Sequence, residues 1–314
     1  MLQDVVWVEK YRPHTIDECI LPAEYKKQFK QFVVAGTIPN SLFVGGPGIG
    51  KTTVARALLD ELKCDYIIIN GSLDRNIDVV RTEIQNFASS MSLAGGRKYV
   101  IIDEADGLNA DSTQKALRSF IETFSKNCGF IFTANYRNKL IEPLHSRLSI
   151  IEFRIPKAEK QKLAAEFHKR ICEILTQENV EYDKAAVAKF IMRFFPDFRR
   201  VLNELQRFAG SGRIDETLLQ DLTADSMKEL LGFIKEKDFT NARKWVETNE
   251  DLGDAVVFNS FYTTCFEYFE KSDIPQLVLL INEYQYKASF VQNRKINLAA
   301  FIVEVMAGVG FKND

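Results

Sequence analysis

Lys51, Thr52, Asp103 and Glu104 are the residues whose types and spacing could do chemistry. The first two end the stretch Gly45-Gly46-Pro47-Gly48-Ile49-Gly50-Lys51-Thr52. Glycines at 45, 48 and 50 let the backbone curl until several N–H groups face one anion, and a helix opening near Lys51 adds its positive end. This is a cradle for a triphosphate tail such as that of ATP. Lys51 reaches the β- and γ-phosphates as a point charge, Thr52 is the expected Mg2+ ligand, and Thr53 lies beside it on the helix surface. Asp103 and Glu104 close the apolar run at 99–102. Asp103 suits the magnesium-holding acid on a strand beside the phosphate loop, while Glu104 points elsewhere, toward a water attacking the γ-phosphate. Taken separately, the two stretches could be a glycine-rich turn and a solvated acidic turn. Taken together they describe a nucleoside triphosphatase.

Each of these groups sits at the end of a strand-like run, which is where α/β folds place their sites. Runs at 42–44, 66–69, 99–102, 130–133 and 150–153 alternate with helix-like segments. The alternation predicts a parallel sheet covered on both faces. After Pro156 the periodicity turns helical, with segments expected at 158–177, 183–195, 197–210 and 215–222, then at 227–235, 240–248, 255–271, 275–288 and 297–311. Three domains follow: an α/β nucleotide-binding domain at 1–156, an all-helical domain at 157–224 and a second helical domain at 225–314. The aromatic residues of the last one (Phe258, Phe261, Tyr262, Phe266, Tyr268, Phe269) suit a core, and their surplus also suits a subunit interface.

Composition fits without deciding. The 314 residues are 46% hydrophobic, enough for two or three cores. Lys and Arg number 41 against 43 Asp and Glu, so a net charge of −2 gives no global pull toward nucleic acid and any such site must be a local patch. Five cysteines without a C-x-x-C pair and only three histidines indicate neither a zinc module nor a disulfide framework. The opening residues carry no signal-peptide pattern and no apolar run approaches the ~20 residues of a membrane span. No membrane partner and a cytoplasmic home, the host's if the source is viral, are the expectations.

The remaining motifs narrow the class. Trp7-Val8-Glu9-Lys10-Tyr11-Arg12-Pro13 resembles the W-x-E-K-Y-R-P element of AAA+ clamp-loader ATPase subunits. Thr133-Ala134-Asn135 resembles the family's polar sensor, Glu142-Pro143-Leu144-His145-Ser146-Arg147 its E-P-x-x-S-R segment, and Phe195-Pro196-Asp197-Phe198-Arg199 the sensor of its helical lid. With the phosphate loop and acidic strand end, these elements run in the family's order from residue 7 to 203. The phrasing Thr15-Ile16-Asp17-Glu18-Cys19-Ile20-Leu21-Pro22 is similar to the T-even-type phage branch, and the whole also resembles replication factor C small subunits. Leu148 departs from the family's S-R-C, and Gly46 and Ile49 from its commoner Pro and Thr; none of these removes a group the phosphate site needs.

The resemblance implies an AAA+ fold in which 157–224 is the lid and 225–314 a collar for oligomerisation. It implies that Tyr11, Arg12 and Pro13 lie against the adenine of ATP. Asn135 would touch the γ-phosphate or attacking water, Arg199 would contact the γ-phosphate of its own subunit, and Arg147 would reach a neighbouring subunit's ATP. Partners would be a sliding clamp, primer-template DNA bound without sequence preference, and other loader subunits in a pentameric ring with a companion subunit.

Residues 70–88 read as a loop leading into an amphipathic helix. Arg75 and Arg81 fall near the helix start, where N–H groups and basic side chains can grip phosphate oxygens without reading bases. In the resemblance the far end of this helix, here Ile84, Phe87 and Met91, leans on the clamp. A plain surface helix with Ile84 and Phe87 in the core is the other reading. Gln114 and Arg118 match a family pair that relays DNA occupancy to Glu104, while Lys115 and Arg118 also read as ordinary solvated residues. Asp103-Glu104-Ala105-Asp106 spells a helicase signature, but a helicase of that class needs a second α/β core that this chain lacks. A non-hydrolysing scaffold would have lost Lys51, Asp103 or Glu104. A branch-migration motor or initiator would carry a C-terminal winged helix, where this chain has helices of little basic bias.

Overall fold

A computed structural model describes residues 6–72, 77–92, 95–210, 213–215, 217–249 and 252–312. The chain forms two compact units, Met1–Ile214 and Asp215–Asp314.

The first unit is built on a five-stranded parallel sheet of β1 (Ser41–Val44), β2 (Tyr66–Asn70), β3 (Lys98–Asp103), β4 (Cys128–Ala134) and β5 (Ser149–Glu152), in the order β2-β3-β4-β1-β5. All five expected strands are present. Successive strand residues point to opposite faces, and here both faces are apolar. On one side Leu42, Val100, Ile102, Phe130 and Phe132 join one core cluster. On the other Phe43, Tyr99, Ile101 and Ile131 join another. Helices α2 (Ala23–Ala35) and α3 (Lys51–Glu61) cover the second face, with Phe29, Val54 and Leu58 buried against it. Helices α4 (Ile77–Ser89) and α5 (Thr113–Thr123) cover the first through Ile84, Leu117 and Ile121. A single turn, α1 (Trp7–Lys10), opens the described chain, and a short α6 (Glu142–His145) precedes β5.

β3 is not the direct neighbour of β1, because β4 lies between them. The acid of β3 must therefore reach across the end of β4, and the residues that carry it across are described below.

Three helices, α7 (Lys157–Gln177), α8 (Lys184–Phe194) and α9 (Phe198–Ala209), complete this unit together with a short parallel pair of Glu181–Tyr182 and Arg213–Ile214, so the stretch expected to be all-helical carries two short strands. Two of the helices begin at aspartate caps. Asp183 accepts from the Ala185 and Ala186 amides, and Asp197 from the Arg200 amide, satisfying helix N–H groups that have no partner within the helix.

The second unit packs α10 (Thr217–Lys235), α11 (Phe239–Thr248), α12 (Asp254–Tyr268), α13 (Ile274–Ala288) and α14 (Arg294–Gly308) around Phe258, Phe261, Trp245 and Phe301. The segments expected at 215–222 and 227–235 are one helix, so the expected boundary at 224/225 falls inside α10. No Gly or Pro interrupts 217–231, and the polar Ser226 has a use: its carbonyl and hydroxyl accept the Trp245 indole N–H at 2.9 and 3.0 Å. Phe258, Phe261 and Phe269 are core, whereas Tyr262 and Phe266 are exposed. Among the described residues no helix is long and apolar enough to cross a membrane.

Candidate functional site

The phosphate loop connects β1 to α3. Gly48 and Gly50 adopt φ of +68° and +96°, left-handed values that cost a side-chain-bearing residue strain. Lys51 begins the helix and is buried, its Nζ donating to the carbonyls of Gly45 and Gly46 at 2.7 and 2.8 Å and to Asn135 Oδ1 at 2.8 Å. Burial pulls its pKa down to about 8 and Arg199 pushes the same way, against the pull of Asp103, Asp106 and Glu104.

The reach across β4 is made by hydroxyls. Asp103 Oδ1 accepts from Thr52 Oγ1 at 2.6 Å and from Thr133 Oγ1, which stands on the intervening strand. Thr133 Oγ1 in turn accepts the Glu104 amide at 3.1 Å. Glu104 itself is half-buried and takes a left-handed φ of +53°, so the chain swings into a short 3-10 turn, Ala105–Gly107. A non-glycine residue held there is strained, and such strain is concentrated at functional sites. Thr133 opens the stretch that resembles the polar sensor, but its role as a strut for Asp103 and Glu104 was not legible in spacing.

Thr52 and Asp103 offer two adjoining oxygens. That suits Mg2+, which takes one or two protein oxygens and fills its octahedron with water and substrate phosphates. Among the described residues no cluster of three or more His, Cys, Asp or Glu offers a dedicated cage.

A cleft opens beside the loop. Tyr11, Arg12 and Pro13 line one wall, the loop from Gly48 to Thr53 another, and Arg199 with Phe167 and Phe198 the lid side. The N-terminal element is strapped to both bodies it touches. Tyr11 Oη and Lys10 Nζ donate to Glu178 at the end of α7, the Trp7 amide donates to Gln206 on α9, and Arg12 Nη1 donates to Thr53 Oγ1 at 2.9 Å. Arg12 also pairs with Glu9, whose carboxyl it holds below the usual carboxylate range. Thr53 is thus the anchor of the strap as well as part of the wall.

Arg147 is not part of this cleft. Its guanidinium lies against Glu122 of α5 and the Pro143 carbonyl. Gln114, also on α5, is fully buried and bridges backbone segments: Nε2 donates to the carbonyls of Leu108 and Lys139 at 3.0 and 3.1 Å, and Oε1 accepts the Ile141 amide at 2.9 Å. It ties the turn after Glu104 to the segment before Arg147. Lys115 pairs with Asp111 and Arg118 is exposed, as solvated helix residues are.

On α4, Arg81 is exposed, while Arg75 lies outside the described residues. Ile84 does not fit a clamp-facing role: it is fully buried between α4 and the sheet. Its position on the helix puts it one turn from Val80 and Ala88, on the core stripe. Phe87 is half-buried and Met91 is 93% exposed. Lys98, at the start of β3, was not singled out by spacing. Its buried ammonium caps the last turn of α4, donating to the Phe87 and Ser90 carbonyls and to Ser90 Oγ, which favours the negative end of the helix.

Comparison with known proteins agrees with this geometry. Residues 41–156 match the ATPase family associated with various cellular activities (AAA), and residues 159–220 match the AAA+ ATPase lid domain of the sliding-clamp-loader large subunit. The chain is 40% identical over 240 residues to the sliding-clamp-loader large subunits of Escherichia phage RB69 and Enterobacteria phage T4, covering 75% of each chain. It is 34% identical over 312 residues to a replication factor C small subunit of Archaeoglobus fulgidus, covering 95% of this chain and 96% of that one. Among solved structures, the RuvB Holliday junction branch migration motor of Thermotoga maritima overlays with a TM-score of 0.52 at 19% identity, over 82% of this chain and 80% of that one, a likeness of fold alone. With its ATP-site residues gathered at the strand ends and its length matched by clamp-loader subunits, this chain belongs to the clamp-loader family of AAA+ ATPases.

Proposed function

We propose that this chain is an ATP-hydrolysing subunit of a DNA sliding-clamp loader, which uses ATP to open a clamp and place it on primer-template DNA. The observation that carries the ATPase part is the convergence of Lys51, Asn135, Thr52, Asp103 and Thr133 in hydrogen-bonded groups beside the cleft. Lys51 exchanges its loop carbonyls for β- and γ-phosphate oxygens. Arg199 approaches the same phosphates from the lid. Glu104 orients the attacking water and accepts its proton on a carboxylate oxygen as the water oxygen bonds to the γ-phosphorus and the bond to the β-phosphate oxygen breaks. Bound Mg2+ supplies neutralisation of charge on the phosphate oxygens.

Arg147 completes a neighbouring subunit's site, which makes turnover depend on assembly. Its place outside its own cleft supports this. A trans arginine is worth roughly 10³ to 10⁵ in turnover, because it stabilises charge that develops on the transferring phosphoryl group. Arg75 and Arg81 grip DNA phosphates, and Phe87 and Met91 meet the clamp. The backbone supports coupling between the two ends: the Gly71 amide, at the start of the loop toward α4, donates to the Asp103 carbonyl at 2.7 Å, and a side chain on Gly71 would collide with the Glu104 carbonyl. The working form is a pentameric ring with a companion subunit in the cytoplasm.

The test is the ATPase rate of the purified chain alone and with its clamp, companion subunit and primed DNA. The expected result is slow turnover alone and strong stimulation in the full mixture, lost in Glu104→Gln although that protein still binds ATP. Turnover as fast alone as in the mixture would sink the clamp-loading part of the reading.

A further inference from the structure

Arg147 follows the four-residue α6, and its long side chain is held both by that segment and by a neighbouring helix. Glu122 Oε1 accepts both Nε–H at 2.8 Å and Nη2–H at 2.5 Å, while Nη1 donates to the Pro143 carbonyl at 2.8 Å and to Ser146 Oγ at 3.1 Å. The guanidinium is therefore fixed along its Nε edge by one helix and at Nη1 by another. The Arg147 side chain is only 25% exposed, against 57% for Glu122.

Glu122 stands on a packed helix. It lies at the end of α5, whose Leu117, Phe120 and Ile121 are buried in the core under β4. An exposed ion pair of ordinary surface geometry contributes little to stability. This one differs in that a carboxylate on a packed helix orients a planar group whose donors lie in one fixed plane.

We infer that Glu122 is the positioning residue for Arg147, holding its guanidinium in the orientation that a neighbouring subunit's triphosphate receives. The inference rests on the trans role proposed above for Arg147. Without Glu122 only the Nη1 contacts to Pro143 and Ser146 remain, the Nε edge of the guanidinium is released, and each productive encounter with the phosphate must first restrict it. Ordering a group before it is needed lowers the barrier to the step that uses it. The ATP affinity of the subunit's own cleft is untouched, because neither residue lines it. The effect thus falls on turnover at saturating ATP.

The experiment is a double-mutant cycle in the fully assembled loader with clamp and primed DNA: wild type, Glu122→Ala, Arg147→Ala and the pair, with Glu122→Gln as a variant that keeps the shape and one acceptor oxygen. ATP binding by a fluorescent analogue and the melting temperature are read beside the rate. Glu122→Ala is expected to lower kcat roughly tenfold with ATP affinity unchanged, and Glu122→Gln to fall between it and wild type. In the Arg147→Ala background, removing Glu122 should change nothing further, since a positioning residue has nothing left to position. Wild-type kcat in Glu122→Ala, or a second multiplicative loss in the double mutant, overturns the assignment while leaving the trans role of Arg147 standing. Wild-type kcat in Arg147→Ala alone removes the trans role itself, and the two failures are told apart by that one arm.

Discussion

The Phe198 amide donates to the Gly48 carbonyl at 3.1 Å, and the neighbouring Asp197 carboxylate rests on the Gly48 α-carbon. The start of α9 is thereby seated on the phosphate loop, one residue before Arg199. Phe198 is locked behind it by edge-to-face contact with Phe167 at 4.8 Å between ring centroids and with Phe195 at 5.5 Å. Lid and loop are mechanically joined at the point where phosphates bind.

A substitution at Gly48 should break this joint. A Cβ there would stand 1.7 Å from Asp197 Oδ1, on a residue whose φ is +68°, and the left-handed conformation alone costs roughly 1 to 2 kcal/mol. Gly48→Ala should melt lower than wild type and bind ATP poorly. Asp197→Ala alone loses a helix cap worth about 1 kcal/mol. If the two residues meet as described, the double mutant should melt no lower than Gly48→Ala, because removing the carboxylate relieves the clash. Simple addition of the two losses would contradict the contact.

The buried ammonium of Lys51 should make ATP binding sensitive to pH earlier than an ordinary lysine would. Its charge is present below about 8 and is lost as pH rises through that value, since burial disfavours the protonated form. Above it, each pH unit should weaken ATP roughly tenfold and binding should take up a proton. Lys51→Arg keeps its charge throughout, so whatever affinity it retains should stay flat over the same range. Calorimetric titrations in buffers of different protonation enthalpy measure both effects. Equal proton uptake by wild type and Lys51→Arg would argue against a depressed Lys51.

For DNA, the net charge of −2 leaves a local patch as the grip. Replacing Arg75 and Arg81 by Ala should leave basal ATPase near normal and remove much of its stimulation by primed DNA. The salt dependence of DNA binding should flatten by roughly one unit of slope for each DNA phosphate that is no longer neutralised. An unchanged slope together with an unchanged stimulated rate would place the duplex elsewhere on the protein.

What the sequence by itself determined is what is written in contiguous residues. The phosphate loop needs its glycines, lysine and threonine in one short run, and the strands announce themselves as apolar runs bounded by turn residues. The helices expected to start at 183 and 197 do begin there, at Asp183 and Asp197. What only the tertiary structure decided depends on which elements become neighbours. The insertion of β4 between β3 and β1 makes Thr133 the strut of Asp103 and Glu104. The seating of α4 on the sheet buries Ile84 and leaves Met91 in solvent, and it turns Lys98, distant in sequence, into that helix's cap. Gln114 gives no sign of burial in its own segment; once α5 is packed, its amide becomes the bridge between two loops. Glu122 and Arg147 are 25 residues apart with a whole strand between them. Local spacing encodes periodicity and turn chemistry; it does not encode strand order or register, and those place one side chain's donors against another's acceptors.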